Sequence, residues 1–143
     1  MPNNDPHNLN RFLTAQQGVY ETALAELRRG SKQSHWMWFI FPQIAGLGRS
    51  PTSQYYSIKS AEEAREYLHH PVLGARLLEC ARALLAVHGR SASEIFGFPD
   101  DMKLKSSMTL FASVAESEPA FERVLGQYFD GERDQRTLEL LGR

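Results

Sequence analysis

Cysteine is all but absent: Cys80 stands alone. That leaves no intramolecular disulfide and no thiolate set for a zinc module, and it fits a reducing compartment, so a cytoplasmic location is expected. Long apolar runs are missing too. The longest, Trp36 to Phe41, falls far short of the ~18 residues of a membrane span, so no membrane association is expected. The start of the chain, Met1-Pro2-Asn3-Asn4-Asp5-Pro6, has neither a basic stretch nor an apolar core, which argues against a signal peptide. Neither charge sign dominates: 16 Lys and Arg face 17 Asp and Glu, a formal charge of -1. A strongly basic footprint for nucleic acid is therefore missing globally, and nucleic acid is disfavoured as a partner. The adjacent His69 and His70 diverge on any helix, and no His-x-x-x-His spacing occurs, so no metal site or cofactor is expected. Nor is there a P-loop, a dinucleotide fingerprint or a nucleophile elbow.

What remains is an ordinary globular composition. With 143 residues, 42% apolar and 23% charged, the chain is the size of one domain and long enough to bury a core. Residues 1–8 are polar and are expected to be a flexible N-terminus, followed by a single α-helical domain over 9–143. Leu9, Phe12, Leu13, Val19, Tyr20, Ala23, Leu24 and Leu27 recur at helical spacing. Gly18 marks a bend, and Arg28-Arg29-Gly30 marks a helix end. The Ser34–Phe41 stretch reads as a short buried helix stopped by Pro42, and 42–59 as irregular. Ser60 with Glu63 predicts a capping box and a helix to about His69. Pro71 opens a helix with Leu73, Leu77, Cys80, Ala81, Leu84 and Leu85 on one side. Ser91 with Glu94 caps a short helix ending at Gly97. Pro99-Asp100-Asp101 opens one to about Ala115, with Leu104, Met108, Phe111 and Ala115 buried and Lys105 turned to solvent. Pro119 begins another helix, and Leu138, Leu140 and Leu141 sit on the last. The fold class is all-α, with about seven helices and a core that includes Phe12, Leu24, Leu77, Leu84, Met108 and Phe111.

Three stretches carry more chemistry than a core requires. The segment 31–43 holds Lys32, His35, both tryptophans and Gln43. On a helix, Trp36 and Trp38 point about 200° apart, so one of them is free to face something other than the core. His35 shares a face with Trp38, and an imidazole beside an aromatic plate suits a planar ligand, with His35 as candidate acid or base. The segment 46–56 offers two glycines and the donors Arg49, Ser50 and Tyr55. The segment 103–110 sets Lys103, Ser106 and Ser107 on one helical strip, a cation with hydroxyls of the kind an anion needs.

These residues also resemble a known family. Ser-His-Trp-Met-Trp-Phe-Ile-Phe-Pro-Gln (34–43), Gly-Leu-Gly-Arg-Ser (46–50), His-Pro-Val-Leu-Gly-Ala-Arg-Leu (70–77), Ile-Phe-Gly (95–97) and Lys-Leu-Lys-Ser-Ser-Met-Thr-Leu-Phe (103–111) are similar to domain of unknown function 1810, over about residues 9–116. The resemblance implies a mainly helical, bacterial-type cytoplasmic protein without an established activity. The label "calpastatin" that some members carry does not suit a compact globule. Pro51-Thr-Ser-Gln-Tyr-Tyr56 is also similar to a short motif of the NADAR proteins, helical N-glycosidases acting on ADP-ribose adducts. Where that motif has a glutamate, this chain has Gln54, which cannot serve as a carboxylate acid or base.

The expectation is a pocket for a small phosphorylated or nucleotide-like ligand, lined by 31–43, 46–56 and 103–110. Lys32, Trp36, Trp38, Gln43, Arg49, Ser50, Tyr55, Lys103, Ser106 and Ser107 would bind it, and His35 is the candidate catalytic group. The alternatives are a protein-interaction module using an exposed tryptophan and an N-glycosidase-like enzyme on ADP-ribose adducts.

Overall fold

Residues 5–143 are described by a computed structural model. Among them are ten helices and no strand: α1 (Asn10–Gln16), α2 (Tyr20–Arg29), α3 (Met37–Ile40), α4 (Pro51–Tyr55), α5 (Ala61–His69), α6 (Leu73–Leu85), α7 (Ala92–Phe96), α8 (Asp100–Val114), α9 (Ala120–Phe129) and α10 (Gln135–Leu140). The all-α class stands, and the number of helices exceeds seven for local reasons. Gly18, at φ +70, cuts the first amphipathic stretch into α1 and α2, because a left-handed residue cannot continue a right-handed helix. Inside the segment read as irregular, Ser50 accepts from the Ser53 amide with Pro51 in the first turn, which nucleates the short α4.

Caps explain most other boundaries. Gly30 at φ +70 closes α2 after Arg28 and Arg29. Ser91 and Glu94 form a complete capping box on α7. At α5 the expected box is half made: Ser60 Oγ accepts from Glu63 N at 3.1 Å, but the Glu63 carboxylate accepts from Lys59 N at 3.0 Å and pairs with Arg11 at 2.7 Å. α6 opens on an imidazole: His70 Nδ1 accepts from Val72 N at 3.1 Å and Leu73 N at 3.2 Å. Of the stretch expected to be flexible, 1–4 lie outside the described residues, and Asp5 caps the start of α1 by accepting from Leu9 N and Asn10 N.

α8 is the central element. Every residue from Leu104 to Phe111 is buried, and α5, α7, α9 and α10 pack around it, so no amphipathic stripe survives. Lys105 is therefore not at a solvent face. Its stem is covered, and its ammonium pairs with Glu132 beyond the end of α9. All six expected core residues, Phe12, Leu24, Leu77, Leu84, Met108 and Phe111, are at most 4% exposed.

The loop between α3 and α5 is held at both ends. Ile44 and Ile58 form an isolated parallel bridge, with Ala45 N donating to Ile58 O at 2.7 Å and Ile58 N to Gln43 O at 2.8 Å. Arg11, almost wholly buried, donates to the carbonyl oxygens of Tyr55 and Ser57 and to the Glu63 carboxylate. A guanidinium has five donors in a fixed fork, and here that fork fastens the loop to α1 and α5.

Candidate functional site

A groove of about 420 Å³ opens where the loop meets the first turns of α8. Trp38, Gln43, Leu47, Gly48, Arg49, Ser50, Ser53, Pro99, Met102, Lys103, Ser106 and Asp134 line it. Three expected segments thus converge: Trp38 and Gln43 from the first, Arg49 and Ser50 from the second, Lys103 and Ser106 from the third. Size does not single this groove out, since two larger depressions exist; the convergence of the three segments does. In the one along α6, Arg28 pairs with Glu79 at 3.7 Å, and Arg76 holds Gln16 and lies over the Tyr20 ring. In the other, His70 is the α6 cap, and no metal-holding group of His, Cys, Asp or Glu occurs among the described residues.

The groove's cations are differently placed. Lys103 Nζ lies 5.2 Å from the centroid of the Trp38 ring and 3.5 Å from Asp100 Oδ1, too long for a good charge-assisted hydrogen bond. The other oxygen of Asp100 is 3.0 Å from Lys32 Nζ. Lys32 also donates to Ser34 O at 2.5 Å and sits over the Trp36 ring. The Arg49 guanidinium has no protein partner among the described residues; only its carbonyl is used, accepting from Gln54 Nε2 at 2.9 Å. Ser50 and Ser53 satisfy each other around the start of α4. Gly48 is required there, because a Cβ would come within 2.4 Å of Ser53 Oγ.

Five expected site residues fall elsewhere. Trp36 is wholly buried, with Nε1 donating to Glu26 Oε1 at 2.9 Å; it anchors the core because Glu26 offers its indole N–H a partner. Lys32 has a side chain only 7% exposed and is consumed by Asp100 and Ser34. Ser107 is buried in the core face of α8, its hydroxyl without a partner. Tyr55 is exposed and lines a separate depression with Arg11, Gln54 and Glu63. His35 is exposed on the loop before α3 and does not line the groove, so the acid–base role drawn from a shared helical face has no helix to rest on: α3 begins at Met37.

Sequence reasoning missed Leu47, Pro99, Met102 and Asp134. Asp134 lies beyond the stretch whose motifs attracted notice. It reaches the groove because its N–H donates to Thr109 Oγ1 at 2.9 Å, while its carboxylate caps α10 through Thr137 N. Glu26 was missed as well. Burial pushes its pKa up, but hydrogen bonds from the Ser34 hydroxyl, Gln33 N, the Trp36 indole and Ser34 N outweigh that and hold it at about 2. This carboxylate shapes the 33–36 turn that delivers Trp38 to the groove.

The molecule is thus an all-α protein with a cation-bearing groove between a tethered loop and its central helix. The chain belongs to the family described as protein of unknown function (DUF1810), whose model matches residues 6–141, as the motifs led one to expect. It is similar to the conserved hypothetical protein Rv1873 from Mycobacterium tuberculosis, whose crystal structure shares 51% sequence identity at a TM-score of 0.95, over 97% of this chain and 99% of that one. No curated protein matches the chain. No helix among the described residues is long and apolar enough to cross a membrane.

Proposed function

We propose that the groove binds a small phosphorylated or nucleotide-like ligand. The observation that carries this reading is the Lys103 ammonium, held over Trp38 inside a groove where the Arg49 guanidinium has no protein partner. One cation that only shares a carboxylate and another that has none, beside apolar walls, are what an organic anion requires. Buried Cys80 agrees with a reducing, cytoplasmic setting. Cleavage of ADP-ribose adducts finds less support, because the exposed Gln54 amide is spent on the Arg49 carbonyl.

The test is thermal unfolding in the presence of nucleotides, dinucleotides and ADP-ribose. A ligand at a hundred times its Kd stabilises by about 2.7 kcal/mol, a rise in Tm of roughly 5–10 °C for a chain of this size. Lys103→Ala should abolish the rise while leaving the free protein nearly as stable. Trp38→Ala should abolish it with some loss of stability. No shift with any compound, or a shift indifferent to Lys103→Ala, refutes the reading. In that case a protein-interaction module leads, but not through an exposed tryptophan, since Trp36 is buried and Trp38 half-buried; its support is Phe98 at 83% exposure and Met102 at 44%.

A further inference from the structure

Resting on that reading, the balance of donors, acceptors and charge in the groove narrows the ligand further. The Lys103 ammonium, the Arg49 guanidinium, the Gln43 amide and the Trp38 indole N–H are donors with no hydrogen-bond partner among the described residues. Acceptors are fewer: Gln43 Oε1, the oxygen of Ser106, whose proton goes to Met102 O, and the Asp134 oxygen not taken by Thr137, while Ser50 and Ser53 are bound to each other. Both cations are among the donors, so the groove suits an anionic group rich in acceptors.

Charge points the same way. Asp100 is one carboxylate between two ammoniums, so the trio keeps a single positive charge. Lys32 is the nearer partner, at 3.0 Å against 3.5 Å, and the more buried, with 7% of its side chain exposed against 27% for Lys103. The surplus charge therefore resides on Lys103, within the groove beside Arg49. Asp134 is the one acid among the lining residues.

Trp38, finally, is not an open stacking plate. Its side chain is half-buried, and the Lys103 ammonium already occupies one ring face. A cation on an aromatic face is stabilised there, so the ring's work is to hold Lys103 in position.

We infer that the groove recognises a terminal phosphomonoester, the dianionic head of a sugar phosphate or a mononucleotide, and is nearly indifferent to the planar base. The experiment is calorimetric titration of the whole chain with ribose 5-phosphate, adenosine 5′-monophosphate, its 3′,5′-cyclic diester, adenosine and ADP-ribose. The two monoesters should bind within about tenfold of each other. Adenosine and the singly charged cyclic diester should be weaker by at least about tenfold, the worth of one charge-assisted contact. Arg49→Ala and Lys103→Met, both at groove positions with no hydrogen bond to lose, should weaken the monoesters by a similar factor. Asp134→Asn keeps a good helix cap and should tighten them about fivefold. Adenosine binding as well as its monophosphate, the monophosphate binding without ribose 5-phosphate, or ADP-ribose binding where no monoester does would each overturn this inference and leave the proposed function standing. Binding untouched by both cation variants, or no binding at all, overturns both.

Discussion

Replacing Glu26 separates the worth of a buried charge from the worth of its hydrogen bonds. Its carboxylate, on a residue 2% exposed, has neutral partners: Oε1 accepts from Gln33 N at 2.8 Å, Ser34 N at 3.0 Å and Trp36 Nε1 at 2.9 Å, and Oε2 from Ser34 Oγ at 2.6 Å. A carboxylate that loses its proton more readily in the folded chain stabilises the fold. With the folded pKa lowered from 4.5 to about 2, at about 1.4 kcal/mol per pH unit, the gain at neutral pH is roughly 3 kcal/mol. The folded value is the depressed one, so this stability is fully present above the unfolded pKa and is lost as pH falls through the folded one; roughly half is gone by pH 3. Glu26→Gln keeps one acceptor for the three N–H groups, and the Ser34 hydroxyl can turn to accept from the new amide, so the variant chiefly loses the charge. It should be less stable by roughly 3 kcal/mol at pH 7, with the gap to wild type halved at pH 3. Glu26→Ala should cost more, because three N–H groups lose their acceptor at about 1–3 kcal/mol for each one left buried and unsatisfied. Urea unfolding followed by tryptophan fluorescence at pH 7, 5 and 3 measures all of this. A Glu26→Gln penalty under about 0.5 kcal/mol at pH 7, or one that stays constant down to pH 3, refutes the reasoning.

Gly74 sits where α6 crosses the end of α5, and a Cβ there would lie 2.0 Å from the Leu68 carbonyl oxygen. Backbone cannot yield as a side-chain tip does, so Gly74→Ala should cost about 3 kcal/mol or more, seen as a fall in Tm of roughly 10 °C by calorimetry. Cys80 is 1% exposed, and burial pushes its thiol up to about 12. In the native protein a thiol reagent should label it only as fast as the fold opens, and labelling at the rate of a free thiol would contradict that burial.

The parts of the fold that could be read in advance were those written in neighbouring residues. Arg28-Arg29-Gly30 and Ser91 with Glu94 fix their helix ends through contacts within one turn, so spacing alone revealed them. Ser50-Pro51 carries an equally local signal for α4, because proline, which often punctuates loops, also suits a first helical turn. Glu63 shows the limit. Its spacing from Ser60 is right for a capping box, yet Arg11, from another helix, claims the carboxylate. Lys105 fails in the same way, because Glu132 lies beyond the next helix and nothing near Lys105 announces it. At the groove, the unusual richness of 31–43, 46–56 and 103–110 pointed to the right strands of chain. Which tryptophan faces outward did not follow, since Trp36 was turned inward by a carboxylate ten positions upstream.

The groove's walls come from positions 38, 43–53, 99–106 and 134, stretches that no single helix pair brings together. An occupant has nothing to grip until loop, α8 and the start of α10 have all docked, so it cannot template the search that assembles them. It enters the energetics only on the native side of the folding barrier. There it lowers the native state and leaves the transition state where it was, so an occupied molecule unfolds more slowly yet refolds no faster than an empty one. Occupancy would act as a brake on exit from the native state rather than as a seed for reaching it.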